Sequence, residues 1–345
     1  MSDRGMEALS AAVKALPNAP QRALQVFRLA TDDDPDMADA WLGRVAAGDR
    51  TLSTLATLSA VARRIGTDLR ALRVTPQELG ASFDVEYVKV GIIDEMSAKL
   101  AYAAALIDAG NYEQASARLL ELPKNPAVAY AAAVLASRTY RWPDVLTALI
   151  GCEAWLQVYF KRAASLLEAW AAANLGLFDR ALASARRAED TSAASDPIVR
   201  DAVFCRALLA RAQGDEEATR TLLTDIRVRW PEFEPAKAAM SDPTFGLKVT
   251  DELTIDSRTD RWDPATETTP GQRAAAHHAD NARKLLADAE KTLAGMVGLD
   301  DVKKRIATIK ADTIARVLRQ RKGLPTPPVS RHLLMVGPPG VGKTA

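Results

Sequence analysis

The chain has 345 residues, 48% hydrophobic and 26% charged, and its 45 Lys plus Arg so nearly balance 44 Asp plus Glu that the formal net charge is +1. At roughly 100–200 residues per domain, that length suits two or three folded units. The charge balance gives no global drive towards nucleic acid, an anionic membrane or an acidic substrate. Two cysteines, Cys152 and Cys205, make neither a disulfide framework nor a zinc site, which points to a reducing, cytoplasmic compartment.

The amino terminus, Met1-Ser-Asp-Arg-Gly-Met-Glu, lacks the apolar core of a secretory signal. The most apolar stretch, Leu166 to Phe178, is interrupted by Glu168 and Asn174, short of the roughly 18 apolar residues a membrane span needs. No direct membrane insertion is expected. Aromatic residues make up only 6% and alanine is abundant, favouring close-packed helices over β-sandwiches.

From the amino terminus onwards an internal repeat is visible. Ala23, Phe27, Ala30 and Pro35 fall on the spacing of a tetratricopeptide second helix, and Trp41 sits where the next repeat places its large aromatic. Further on, Gly110-Asn-Tyr112 with Ala115 recurs as Tyr140-Arg-Trp142 with Val145, Gly176-Leu-Phe178 with Ala181, and Gly214-Asp-Glu216 with Ala218. The small residues at 115, 145, 181 and 218 are spaced 30, 36 and 37 apart, around the roughly 34-residue period of tetratricopeptide helix pairs. A turn residue separates two helices, an aromatic plugs the crevice, and a small residue lets the backbones approach. Each pair leaves an apolar face uncovered, so the pairs stack into a superhelix. Leu166, Trp170, Ala173 and Leu177 carry the helical period. The alternative is an irregular alanine-rich bundle with coincidental glycine turns.

Residues 50–98 break this period. Phe83-Asp-Val-Glu-Tyr alternates apolar and polar, and Val88-Lys-Val-Gly-Ile-Ile is rich in β-formers, which predicts a small β insertion at about 81–93. It is read as a flap over the repeat core in preference to a partner-binding edge strand. Beyond Pro231 the pattern fades. Pro, Thr and Asp concentrate over 241–271 while apolar periodicity vanishes, as in a linker, with Trp262 expected to pin it to a neighbouring domain. A second unit then opens with a helix from near Gln272 to Leu293.

The segment 303–331 carries nine Lys or Arg against one acid, Asp312, on a helix striped by Val302, Ile306, Ile309, Ile314, Val317 and Leu318. That charge is read as a solvated face or a surface for an acidic neighbour in an oligomer, and no nucleic-acid partner is expected.

The strongest chemical signal closes the chain. Gly337, Pro338, Pro339, Gly340, Val341, Gly342, Lys343 and Thr344 fit G-x-x-x-x-G-K-[ST], and the apolar run Leu333-Leu-Met-Val336 supplies the buried strand that feeds such a loop. The glycines let backbone N–H groups surround phosphate oxygens. Lys343 places its charge on the β- and γ-phosphates, and the Thr344 hydroxyl joins a Mg²⁺ shell. The expected cofactors are therefore ATP and Mg. No catalytic residue is expected within these 345 residues, because the acid that positions Mg²⁺ and water is not among them. The chain is read as part of a longer protein, inactive as an ATPase by itself.

Met296-Val-Gly-Leu-Asp-Asp-Val-Lys303, the basic helix, and Arg331-His-Leu-Leu-Met-Val336 leading into the phosphate loop resemble the start of an AAA+ module of the CbxX/CfqX type. Joined to the repeat array, and with Asp39-Ala-Trp-Leu-Gly-Arg44, Ala171-Ala-Ala-Asn-Leu-Gly-Leu-Phe178 and Ser257-Arg-Thr-Asp-Arg-Trp-Asp-Pro264, the chain resembles the EccA family of mycobacterial type VII (ESX) secretion ATPases. Val341 departs from the Thr usual in AAA+ loops, and the β insertion is short for the family.

The resemblance implies a mainly α fold: a tetratricopeptide-like superhelix over 1–240 with the β insertion, the linker over 241–271, and the start of an α/β P-loop (AAA+) domain over 272–345. It places Val297-Gly298 near the adenine. It also implies a cytosolic ATPase that forms a homo-oligomer, a hexamer, and whose repeat domain binds secreted ESX substrates or their cytosolic chaperones for remodelling or release. Two other readings stay open: a non-catalytic adaptor whose nucleotide site controls only assembly, and a CfqX-like activase or assembly chaperone.

Overall fold

Alanine-rich segments separated by left-handed turns fold as helix–turn–helix pairs. The computed structural model describes residues 3–190, 196–296 and 300–321, and the chain divides into two units, Met1–Thr269 and Pro270–Ala345. In the first unit α1 (Asp3–Ala15) pairs with α2 (Pro20–Asp33), α3 (Ala38–Ala46) with α4 (Leu52–Val61), and α5 (Glu95–Asp108) with α6 (Tyr112–Leu120). The pairs α7 (Pro126–Arg138) with α8 (Trp142–Ala148), α9 (Val158–Asn174) with α10 (Phe178–Glu189), and α11 (Pro197–Ala212) with α12 (Glu216–Arg229) follow. Then come α13 (Glu234–Ser241) and the short α14 (Glu252–Asp256). The first helices α5, α7, α9 and α11 also pack each against the next, so one layer of first helices runs through the stack as in a solenoid.

The turns explain the register. Gly110, Gly176 and Gly214 have φ of +75°, +73° and +80°, and Tyr140 takes the same left-handed conformation at φ +55°. An L side chain there costs on the order of 1 kcal/mol, so the repeat that has lost its glycine carries local strain. Five residues after each turn, Ala115, Val145, Ala181 and Thr219 are fully buried. The fourth buried position is therefore Thr219, one residue beyond the Ala218 expected from sequence. Asp215 caps the Ala218 N–H, which fixes the start of α12 and leaves Thr219 facing α11, its hydroxyl donating to the Asp215 carbonyl at 2.7 Å with the Ala207 carbonyl of α11 3.4 Å away.

In the first pair, Phe27 and Ala30 of α2 are buried as the repeat spacing predicts. A Cβ on Gly43 would lie 2.2 Å from the Phe27 ring, so only glycine admits that ring between α2 and α3. The apolar stripe of α9 is also real, with Leu166 and Ala173 buried, but Leu177 lies past the helix end and is exposed. The two polar residues that interrupt this stretch are partnered. Glu168 accepts from Arg180 at 2.7 Å and Arg187 at 2.6 Å, and Asn174 donates to the Trp170 carbonyl. Among the described residues no helix is long and apolar enough to cross a membrane.

Between α4 and α5 the chain makes three short 3₁₀ turns and then a two-stranded antiparallel hairpin, β1 (Ser82–Val85) and β2 (Val88–Gly91), in register Ser82↔Gly91 to Val85↔Val88. The β insertion expected at 81–93 is present.

After α13 the chain continues along the first unit, against the turns that join first to second helices. Arg211 at the end of α11 donates to the carbonyls of Ala239 and Phe245 at 2.8 and 3.0 Å. Thr250 N–H donates to the Asn174 carbonyl at 2.8 Å, and Ile255 is fully buried in the main core. Trp262 donates through Nε1 to Glu113 at 2.6 Å and tilts against Tyr112 at 6.3 Å between ring centroids. The pinning role expected for this tryptophan is therefore exercised within the first unit.

The second unit is described over α15 (Pro270–Gly295) and α16 (Asp300–Arg321). Lys303 caps the carbonyls of Ala294 and Met296, and Lys310 pairs with Glu290.

Candidate functional site

The phosphate-loop residues Gly337 to Thr344, and Val297-Gly298, lie outside the described residues. The candidate surface among the described residues is the layer of first helices in the repeat unit, and the hairpin lies on it. Phe83, Val85 and Val88 are buried, β1 packs on α5 and β2 on α9, and the tip reaches α7 and α11. The flap reading of the insertion describes this packing.

Two polar contacts hold the tip. Glu86 occupies a left-handed conformation at φ +48° and pairs with Arg138, the last residue of α7, at 2.6 Å. Tyr87 donates its hydroxyl to Asp201 of α11 at 2.7 Å. Burial, then the Asp201 charge and the hydrogen bond to it, push the Tyr87 phenol far above its usual range, so it stays a donor at any physiological pH. Asp201 is held in turn by Arg200 at 2.7 Å, whose guanidinium lies 4.4 Å from the centroid of the Phe233 ring. Beneath the tip Tyr130 of α7 is fully buried and meets Phe160 of α9 edge-on at 5.7 Å. Part of the face where a stacked-helix array offers a groove is thus filled by the protein's own chain.

A cavity of about 530 Å³ opens beside this face, lined by Tyr112, Glu113, Arg138, Trp262, Asp263 and neighbours. It joins the α5–α6 turn, the α7 end and the segment after α14. The two thiols are buried, which disfavours the reactive thiolate form. Burial and the nearby Glu168 push Cys152 up to about 11, and burial raises Cys205 further still. Among the described residues no group of His, Cys, Asp and Glu could hold a metal ion.

Sequence reasoning missed Glu86, Tyr87, Arg138 and Asp201. Each is a common surface residue type, and their partners lie 52 and 114 residues away, so no local spacing reveals them.

A family model described as the N-terminal domain of the ESX-1 secretion system protein EccA1 of type VII secretion matches residues 1–268. EccA5 of the ESX-5 secretion system from Mycobacterium tuberculosis is 38% identical over 333 residues, covering 94% of this chain and 54% of that protein. EccA3 of ESX-3 from Mycobacterium leprae is 33% identical, covering 90% and 49%. EccA1 of ESX-1 from Mycobacterium tuberculosis is 32% identical over 100% of this chain and 60% of its own. The chain thus spans about half the length of the curated relatives it matches. The crystal structure of the N-terminal domain of the EccA1 ATPase from Mycobacterium tuberculosis superposes with a TM-score of 0.70 at 29% identity, over 77% of this chain and 98% of that one. The tetratricopeptide-like fold and the family resemblance read from the repeats and motifs agree with these matches: the chain belongs to the EccA family of type VII (ESX) secretion system proteins.

Proposed function

We propose that this chain is the amino-terminal part of a cytosolic AAA+ ATPase serving an ESX secretion system, in which the repeat unit binds secreted substrates or their chaperones and an ATP-driven module remodels or releases them. The observation that carries the reading is the phosphate-loop sequence Gly337 to Thr344 on a chain matched along 94% of its length by an EccA protein. The solved relative is itself named an ATPase.

The donor set suits a Mg-nucleoside triphosphate. Glycines at 337, 340 and 342 would let backbone N–H groups approach phosphate oxygens, Lys343 would bring a positive charge, and Thr344 a hydroxyl for the metal. Bound ATP and Mg would supply a phosphoanhydride bond whose hydrolysis, passing the γ-phosphoryl group to water and releasing ADP, drives a change of shape. By the same reading the full-length protein is a homo-oligomer, a hexamer.

The test is Mg-dependent ATP turnover by the full-length protein alongside Lys343→Ala. Turnover in the parent that falls by at least about 100-fold in the variant supports the proposal. Equal rates in the two proteins, or no turnover in either, would leave a binding adaptor as the better description.

A further inference from the structure

Residues 242–269 cross the repeat unit in the direction opposite to the repeats. The α11 end is met first, through Arg211 and the Phe245 carbonyl at 3.0 Å. The α9–α10 turn is next, through Thr250 N–H on the Asn174 carbonyl, with Val249 3.4 Å from where a Gly176 Cβ would stand. At the α7–α8 turn Arg258 donates to the carbonyls of Thr139 at 2.7 Å and Tyr140 at 3.4 Å. Arg261 reaches Asp144 of α8 at 3.1 Å. The α5–α6 turn comes last, through Trp262 on Glu113. The chain then doubles back, Glu267 pairing with Arg258 at 3.0 Å and Thr268 N–H bonding Ser257 Oγ at 2.8 Å. One continuous segment, carrying α14, therefore joins successive repeats along the edge formed by their internal turns.

One of those turns is shared with the hairpin. Arg138 holds the hairpin tip through Glu86, and the next two residues, Thr139 and Tyr140, give their carbonyls to Arg258. Tyr140 is also the turn residue held left-handed without being glycine. The Arg258 side chain is 3% exposed, and its guanidinium fits because Glu267 balances its charge while two carbonyls accept hydrogen bonds from it. Without that clamp the strained turn, which follows directly on Arg138, has less reason to keep its conformation.

We propose that residues 242–269 are a strap that, through Arg258 and the turn Arg138-Thr139-Tyr140, controls the seating of the β1–β2 tip on the first-helix layer, so that loosening the strap frees the tip. The strap ends at Thr269, the residue before α15, so displacement passed along the chain from residue 270 enters the repeat unit through it. Arg258 is a positioning residue: its hydrogen bonds go to Thr139, Tyr140 and Glu267, and it acts on the hairpin through the turn. The proposal adds regulation to the proposed function and rests on that reading only for what a freed tip would expose to a partner.

Hydrogen exchange of the 345-residue chain, without nucleotide or partner, tests it and is blind to whether the ATPase reading is right. Arg258→Ala should speed exchange of the hairpin amides, residues 82–91, by at least about tenfold, the signature of easier local opening. Gly43→Ala, which disturbs α2 and α3 and leaves the strap untouched, should not change the hairpin relative to its neighbours. If Arg258→Ala fails to fold, Arg258→Lys and Trp262→Ala loosen the strap more gently and should rank between parent and alanine variant. A strap that exchanges faster in the variants while the hairpin stays within twofold of the parent would overturn the proposal, as would a strap unprotected in the parent.

Discussion

Tyr87 at the tip of a hairpin and Asp201 on α11 lie 114 residues apart in sequence and 2.7 Å apart in space. The bond has a half-buried phenol donating to a carboxylate that Arg200 also holds, and a bond to a charged group contributes about 1.5–3 kcal/mol. Tyr87→Phe keeps the ring and removes the donor. It should lower stability by about 1–2 kcal/mol in urea titrations, less than the full bond because Arg200 still satisfies Asp201. A cost below about 0.3 kcal/mol would mean the contact does not anchor the tip.

Gly43 offers a sharper steric test. Its missing Cβ is the space the Phe27 ring fills, 2.2 Å from the would-be methyl, and Phe27 is fully buried. Gly43→Ala should cost about 1–3 kcal/mol, the range for overpacking a tight core. Shortening the ring with Phe27→Leu should make the glycine substitution cheaper. Additive losses in the double variant would contradict the close approach of α2 and α3.

Asp39 and Asp68 make a pH prediction. Asp39 accepts from the N–H groups of Gly66, Asp68 and Leu69 at 2.6–2.9 Å, while buried Asp68 leaves Oδ2 without a partner. Burial first, and then the neighbouring Asp39 charge, raise the Asp68 carboxyl above its ordinary 3.8. The native state therefore holds this proton more tightly than the unfolded chain. Native stability falls as pH rises through 3.8 towards the raised value, and the loss is complete above it. Asp68→Asn removes the charge and should raise Tm at pH 7 by about 2–4 °C. That gain should shrink to nothing below about pH 4. A variant less stable than the parent at pH 7, or a gain independent of pH, would refute the assignment.

The repeats were legible because they rest on short-range rules. A left-handed turn followed five residues later by a buried small side chain marks each pair, and even Tyr140 could be aligned although it is not glycine. The Thr219 slip was hidden because a cap at Asp215, and not spacing alone, sets where α12 begins. The β-formers of 83–93 announced a small β insertion, but its place on the first helices depends on Glu86 and Tyr87 meeting partners far along the chain. The segment 241–271 has a linker's composition, since much of its grip is on main-chain carbonyls such as those of Asn174, Thr139 and Tyr140. A carbonyl acceptor leaves no mark in the sequence of either partner. The phosphate loop is legible from motif alone, and lies outside the described residues.

The most direct test of the account is nucleotide-dependent partner binding by the full-length protein. A secreted ESX substrate or its chaperone is captured on the immobilised protein and release is followed after addition of Mg-ATP, for the parent and for Lys343→Ala. The account predicts release from the parent and a persistent complex with Lys343→Ala. Identical release from both, or capture that survives removal of the repeat unit, would contradict it.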